Sequence, residues 1–244
     1  MQVPLEVIGL SKIFNNKDAV KDISFKVNKN EIIGILGPNG CGKTTTIGML
    51  LGLIAPTSGN IFINEQELNY KNHQFLSIMN FASPYVELPK KLTVLENLKV
   101  YGRMYLIKNL KDKIDQLVED LNLKPFLKKR TGELSSGQKN RVSLAKSLIN
   151  DPKILLLDEP TASLDPDTGD YVRSYLEKYK KENDISILLA SHNMDEVTRL
   201  SDYVLMMKEG QIIDHGKAKD LIDKHGRENL EQVFLKLVRQ KNEY

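Results

Sequence analysis

The stretch Gly37–Thr45 reads GPNGCGKTT, three glycines with a lysine and two adjacent threonines, a composition suited to holding an anion. Gly37, Gly40 and Gly42 allow the backbone to wrap until successive N–H groups point inward, at the start of a helix whose partial positive charge adds to the cradle. The spacing is Gly-x4-Gly-Lys-Thr over residues 37–44, with Pro38, Asn39, Gly40 and Cys41 as the intervening four. Lys43 is expected to reach the β- and γ-phosphates of a nucleoside triphosphate, and the Thr44 hydroxyl, with Thr45 beside it, to ligate Mg2+. Cys41 reads as a tolerated small residue rather than a nucleophile. Thiol reagents are expected to block the loop there, with protection by ATP.

Such a loop needs a strand before it and a helix after it. EIIGILG supplies Ile32, Ile33, Ile35 and Leu36, a short apolar run of the kind buried on both faces of a parallel sheet, and TTTIGMLLGL is good helix material. KILLLDEP (153–160) is a second such strand and ISILLASH (185–192) a third. In an open parallel sheet, ligands sit beyond the carboxyl ends of the strands, so the endings of all three are expected to face the same phosphates. Asp158 is then the group to hold Mg2+, directly or through water. Glu159 is positioned to orient or deprotonate an attacking water, and His192 to contact the γ-phosphate.

ELSSGQKNRVSLAKSLIND (133–151) lies between the first strand and the second. Val142, Ala145, Leu148 and Ile149 recur at helical spacing, which predicts an amphipathic helix beginning just after SSGQ, capped by Ser135 or Ser136, with a second anion site at its free N–H groups. Taken together, these motifs resemble the ATP-binding cassette (ABC) family. Walker A is 37–44, LSSGQ 134–138, Walker B 154–158 followed by Glu159, SLD 163–165, and the switch histidine His192. Order and spacing agree over most of the chain.

The resemblance implies an α/β fold, a P-loop NTPase of ABC type with a RecA-like core, an antiparallel β subdomain and an inserted helical lobe over 84–150. One domain would span 1–244, approximately 3–240. It also implies a head-to-tail homodimer or heterodimer in which ATP is sandwiched between Walker A of one copy and Ser135, Gly137 and Gln138 of the other, with Asp165 reporting across the interface. Phe14 matches the family aromatic that stacks on adenine, against the alternative of a buried strand aromatic.

Two departures from the family stand out. ABC ATPases usually carry a metal-ligating, γ-phosphate-sensing glutamine at a position that, counted back from Leu92-Thr93-Val94, falls at about Pro84. Neither Ser83, Pro84 nor Tyr85 is glutamine, although Ser83 or Tyr85 could supply an oxygen. Ser136 stands where the signature usually has glycine, a small change expected to be tolerated. The helical stretch from Thr93 to Leu121 corresponds to the lobe that receives the coupling helices of membrane subunits. Pro84, Tyr85, Val86 and Leu88 are candidates for that contact or for packing on their own lobe.

Bulk properties bound the remaining readings. The 244 residues are 41% hydrophobic, enough for a buried core, and 35 basic against 32 acidic residues leave a formal charge of +3, too balanced to argue for a nucleic-acid surface. The only cysteine is Cys41, which excludes an intrachain disulfide and fits a reducing compartment. The apolar runs fall short of the ~18 residues a membrane helix requires, and MQVPLEVIGLSK lacks the pattern of a secretory signal. Transport would therefore need membrane-spanning permease subunits, with this subunit peripheral on the cytoplasmic face. LEQVFLKL (230–237), with Leu230, Val233, Phe234 and Leu237 on one face, is followed shortly by the last residue given, and no added regulatory domain is expected. That ending, with TVLENL, looks like the short ATPases of multi-subunit exporters. The competing class, a soluble ABC ATPase acting on nucleic acid or ribosomes, would bring a long coiled coil or a second cassette.

Overall fold

The buried-strand pattern is realised. In the computed structural model, which describes residues 3–71, 74–162 and 164–240, the elements in chain order are β1 (Leu5–Phe14), β2 (Lys17–Val27), β3 (Ile32–Leu36), α1 (Lys43–Leu50), β4 (Ser58–Ile63), β5 (Gln66–Glu67) and β6 (Met79–Ala82). They continue with α2 (Val94–Met104), α3 (Leu110–Asp120), α4 (Ser136–Ser147), β7 (Ile154–Asp158), α5 (Pro166–Glu182), β8 (Ser186–Ser191), α6 (Met194–Leu200), β9 (Tyr203–Lys208), β10 (Gln211–Gly216), α7 (Ala218–His225) and α8 (Leu230–Gln240). Among the described residues no helix is long and apolar enough to cross a membrane.

The chain divides into two compact units, Met1–Phe75 with Ser186–Tyr244, and Leu76–Ile185. The first holds an antiparallel sheet in which β1 pairs with β2 and β4, and β4 with β5. Asn15 and Asn16 join β1 to β2 with φ of 45° and 61°, the left-handed pair that matches the twist of a tight hairpin. Its second sheet has β3 between β8 and β9, both parallel to it, with β10 antiparallel to β9. Every residue of β3 and β8 is buried, which is why both read as continuous apolar runs rather than alternating ones. The predicted apolar face of the last helix is correct: Leu230, Val233 and Phe234 of α8 are buried against Leu36, Val204 and Leu221, with Leu237 packed at the margin. Each such side chain contributes roughly 1.5–3 kcal/mol through removal from water.

The second unit pairs β6 parallel to β7, with registers from Met79↔Ile154 to Ala82↔Leu157. It contains the predicted helical segment 84–150 and also β6, β7 and α5. Thr93 caps α2 with a capping box, its side chain accepting the Glu96 N–H at 3.2 Å while Glu96 accepts the Thr93 N–H at 2.7 Å. In α4, the half-buried Lys146 ammonium donates to the Phe81 carbonyl of β6 at 2.8 Å, and desolvation lowers its pKa to about 8.

Candidate functional site

In the first unit, β3 ends at Leu36 and the chain enters the glycine loop. A side chain on Gly37 would meet the Met207 carbonyl at 2.2 Å, and one on Gly42, where φ is +111°, would meet the Ala19 carbonyl at 2.5 Å. The concavity therefore exists only because those positions lack Cβ atoms. The Gly210 N–H donates to the Cys41 carbonyl at 2.9 Å and fixes the back of the loop, while Pro38, Asn39 and Gly40 are exposed along its front.

Lys43 opens α1 but is only 5% exposed, and its Nζ donates to the Gly37 and Pro38 carbonyls at 2.7 and 3.2 Å. The cation is thus held inside the curve of the loop, where an anion would find it. The neighbouring threonines differ in direction. Thr46 is buried and its hydroxyl donates to the Gly42 carbonyl at 3.0 Å, whereas Thr44 is exposed and Thr45 partly so. An exposed hydroxyl beside a cradle of N–H groups and an ammonium fits a triphosphate with a hard cation that prefers oxygen ligands.

The expectation that thiol reagents block the loop through Cys41 needs correction. The thiol is 3% exposed, beneath Gly37 rather than in the anion cradle. Because Cys41 is the sole cysteine, its reaction with an aromatic disulfide reagent is expected to be at least about tenfold slower in the native protein than in urea-unfolded chain. Equal rates would show that the loop opens freely.

β3 and β8 run parallel with Leu36 paired to Ser191, so Gly37 and His192 leave the sheet at the same edge. His192 is exposed there. Its position follows from a turn that the sequence reading missed: the Ser191 hydroxyl donates to Glu196 at 2.6 Å and accepts the Asn193 N–H at 3.1 Å, while the Asn193 side chain caps α6 by accepting the Glu196 N–H at 3.0 Å. Asn193 followed three residues later by Glu196 is a helix-start signal and could have been found. Phe14, at the end of β1, is 44% exposed with the Lys12 ammonium 4.9 Å from its ring centroid, so the buried-aromatic alternative fails.

In the second unit, β7 delivers Asp158 and Glu159, both buried. Glu159 has φ of +54°, a left-handed conformation that costs of order 1–3 kcal/mol for a side chain of this kind and is characteristic of functional turns. The signature helix starts earlier than predicted. Ser135 is its N-cap and Ser136 its first residue, because Ser135 accepts the Gln138 N–H at 3.3 Å while the Gln138 side chain accepts the Ser135 N–H at 3.2 Å. This reciprocal box turns LSSGQ into the first turn of α4 and leaves Gly137 within it. The Asn140 amide of the same helix donates to the Pro160 carbonyl, tying α4 to the segment after Glu159.

Asp165 is exposed and caps α5, its Oδ1 accepting the Thr168 N–H at 2.9 Å; that amide holds its carboxyl below the usual range. This structural role was legible in Asp165-Pro166, a cap followed by proline at the first helical position. Ser163 lies outside the described residues. Within Pro84–Leu88, Pro84 and Leu88 are half-buried whereas Tyr85 and Val86 are turned outward. Tyr85 is 71% exposed, Val86 is also exposed, and both border a cavity of ≈ 310 Å³ that Leu134, Lys139 and Val142 also line.

Comparison with known proteins gives a consistent result. The family model described as ABC transporter matches residues 20–162. The chain is 34% identical over 226 residues to Nod factor export ATP-binding protein I of Rhizobium sp. (strain N33), covering 92% of this chain and 74% of that protein. It is 34% identical over 229 residues to the ABC transporter ATP-binding protein NatA of Bacillus subtilis (strain 168), covering 91% of each. Among solved structures, cbiO1 from Clostridium perfringens, part of the ABC transporter complex cbiONQ, superposes with a TM-score of 0.80 at 29% identity, over 92% of both chains.

Proposed function

This chain belongs to the ABC transporter family, and we propose that it is the ATP-hydrolysing subunit of a complex whose membrane path is built by separate permease chains, working on the cytoplasmic face in the direction of export. The observation that carries the transporter reading is the exposed Tyr85–Val86 pair beside the ≈ 310 Å³ groove, an apolar surface on a chain otherwise rich in charge. It suits a short amphipathic helix from a membrane subunit. The name of the Rhizobium relative supports export.

In this reading the Gly37–Thr45 loop binds the triphosphate, Phe14 stacks on the adenine, and Thr44 and Asp158 hold Mg2+. The bound cation supplies charge neutralisation at the β- and γ-phosphates. Lys43 binds the same oxygens, Glu159 takes the proton of the attacking water, and His192 contacts the γ-phosphate. Two ATPase subunits pair head to tail, alike or different, so that Ser135, Gly137 and Gln138 of one close on the nucleotide of the other, with Asp165 at the contact. Losing the γ-phosphate removes what holds the pair closed, which converts hydrolysis into motion.

The test is purification of tagged Glu159→Gln protein from detergent-solubilised native membranes in the presence of ATP. A polytopic membrane protein is expected to co-purify, and Tyr85→Asp with Val86→Asp should reduce its recovery at least about tenfold, the scale of a central apolar contact. Recovery of ribosomes or DNA instead, or of the same membrane protein at undiminished yield with the double variant, counts against this account of the partner or of its docking surface.

A further inference from the structure

α2 buries Val94, Asn97, Leu98 and Gly102 and turns Lys99, Val100, Arg103 and Met104 outward, a spacing that lines those four along one helical face. The helix ends in a Schellman turn, in which the Ile107 N–H donates to the Gly102 carbonyl and the Leu106 N–H to the Arg103 carbonyl, both at 3.0 Å. Such a turn needs a residue in the left-handed region, where glycine is usual, and here Leu106 fills it with φ of 56°. A side chain in that conformation is strained, and burial within the unit does not offset the strain: Leu106 is 85% exposed and Met104 71%. Gly102 fixes the turn on the unit, since a side chain there would overlap Leu110 of α3. Around these apolar residues, Lys99, Arg103, Lys108 and Lys111 are all exposed, and no acid occurs between residues 99 and 111. Glu96, the only acid of α2, lies toward the other end of the helix and is engaged by Thr93 in the capping box.

We propose that the outer face of α2 and its closing turn form a docking surface for an anionic lipid bilayer, with Val100, Met104 and Leu106 entering the apolar boundary and Lys99, Arg103 and Lys108 meeting headgroup phosphates. The interleaving of the two residue classes selects lipid over protein. Protein interfaces gather apolar and aromatic groups into a core depleted of lysine. A bilayer surface instead takes apolar anchors flanked by lysine and arginine, whose stems lie along the acyl boundary while their charged ends stay at the phosphates. The basic residues complement the negative potential of an acidic leaflet, and a leucine that gains no burial in its own unit gains it there. This face is separate from the Tyr85–Val86 groove, which none of these residues lines, and its role requires neither the permease reading nor bound nucleotide.

The test is flotation of the purified full chain with vesicles of equimolar phosphatidylcholine and phosphatidylglycerol, and with vesicles of phosphatidylcholine alone, with melting curves for each protein. Wild type is expected to partition at least about tenfold more strongly onto the anionic vesicles and to be released by high salt. Leu106→Gly should lower that partitioning about tenfold, the scale of one leucine side chain returned to water, while the melting temperature holds because glycine suits the left-handed turn. Arg103→Glu should lower it by about as much at low salt and far less at high salt. Leu53→Ser, at a comparably exposed leucine of the other unit, should match wild type. No preference of wild type for anionic vesicles, undiminished partitioning of Leu106→Gly, or an equal loss in Leu53→Ser overturns the proposal. Loss of a co-purifying polytopic membrane protein by Leu106→Gly, with vesicle binding unchanged, assigns the face to a protein partner and overturns it as well.

Discussion

Glu159→Gln protein is expected to hydrolyse ATP about 10²–10⁴-fold more slowly than wild type while binding nucleotide with similar affinity, the range for removing a general base. Glutamine retains the volume of the buried glutamate, and it meets the same backbone cost at φ +54°, so the comparison isolates proton acceptance rather than folding. The carboxylate follows directly on Asp158, at the end of a strand whose every residue is buried. A buried carboxylate at such a strand end can accept a proton from water without competing bulk solvent, whereas an amide cannot. Phosphate release and fluorescent-nucleotide binding, measured on the same preparations, provide the check. Turnover within about threefold of wild type would remove Glu159 from the chemistry.

Lys43→Ala is expected to weaken ATP binding by about 10–100-fold, the loss of a charge-assisted hydrogen bond to phosphate. The effect should fall on the triphosphate more than on adenosine, because Lys43 Nζ sits in the loop against the Gly37 and Pro38 carbonyls and not at the aromatic Phe14. Those two bonds hold the loop in the absence of nucleotide, so a modest fall in melting temperature should accompany the loss of affinity. Lys43→Arg is not a conservative alternative: a planar fork does not fit a pocket that leaves the lysine 5% exposed. Isothermal titration with ATP and with adenosine separates the two contributions. Equal affinity of wild type and Lys43→Ala for ATP would place the phosphates elsewhere.

Local rules made much of this protein legible before its coordinates. The Gly-x4-Gly-Lys-Thr loop between an apolar strand and a helix, the fully buried β3, β7 and β8, and the apolar face of α8 all follow from residue types at short spacing. Such features are governed by helical and strand periodicity and by the few conformations glycine and capping residues favour. The start of α4 was legible too, since Ser135 and Gln138 form a capping box, but the helical spacing of Val142 and Ala145 drew the expected boundary too late. Tertiary structure alone decided that Cys41 and Gly37 are sealed against Met207, that Phe14 is exposed, and that Ala82 lies level with Leu157. Each depends on partners far along the chain, such as Met207 against Gly37 or β7 beside β6. Short spacing carries which conformation a segment adopts, but burial and register are set by which distant segments pack against it.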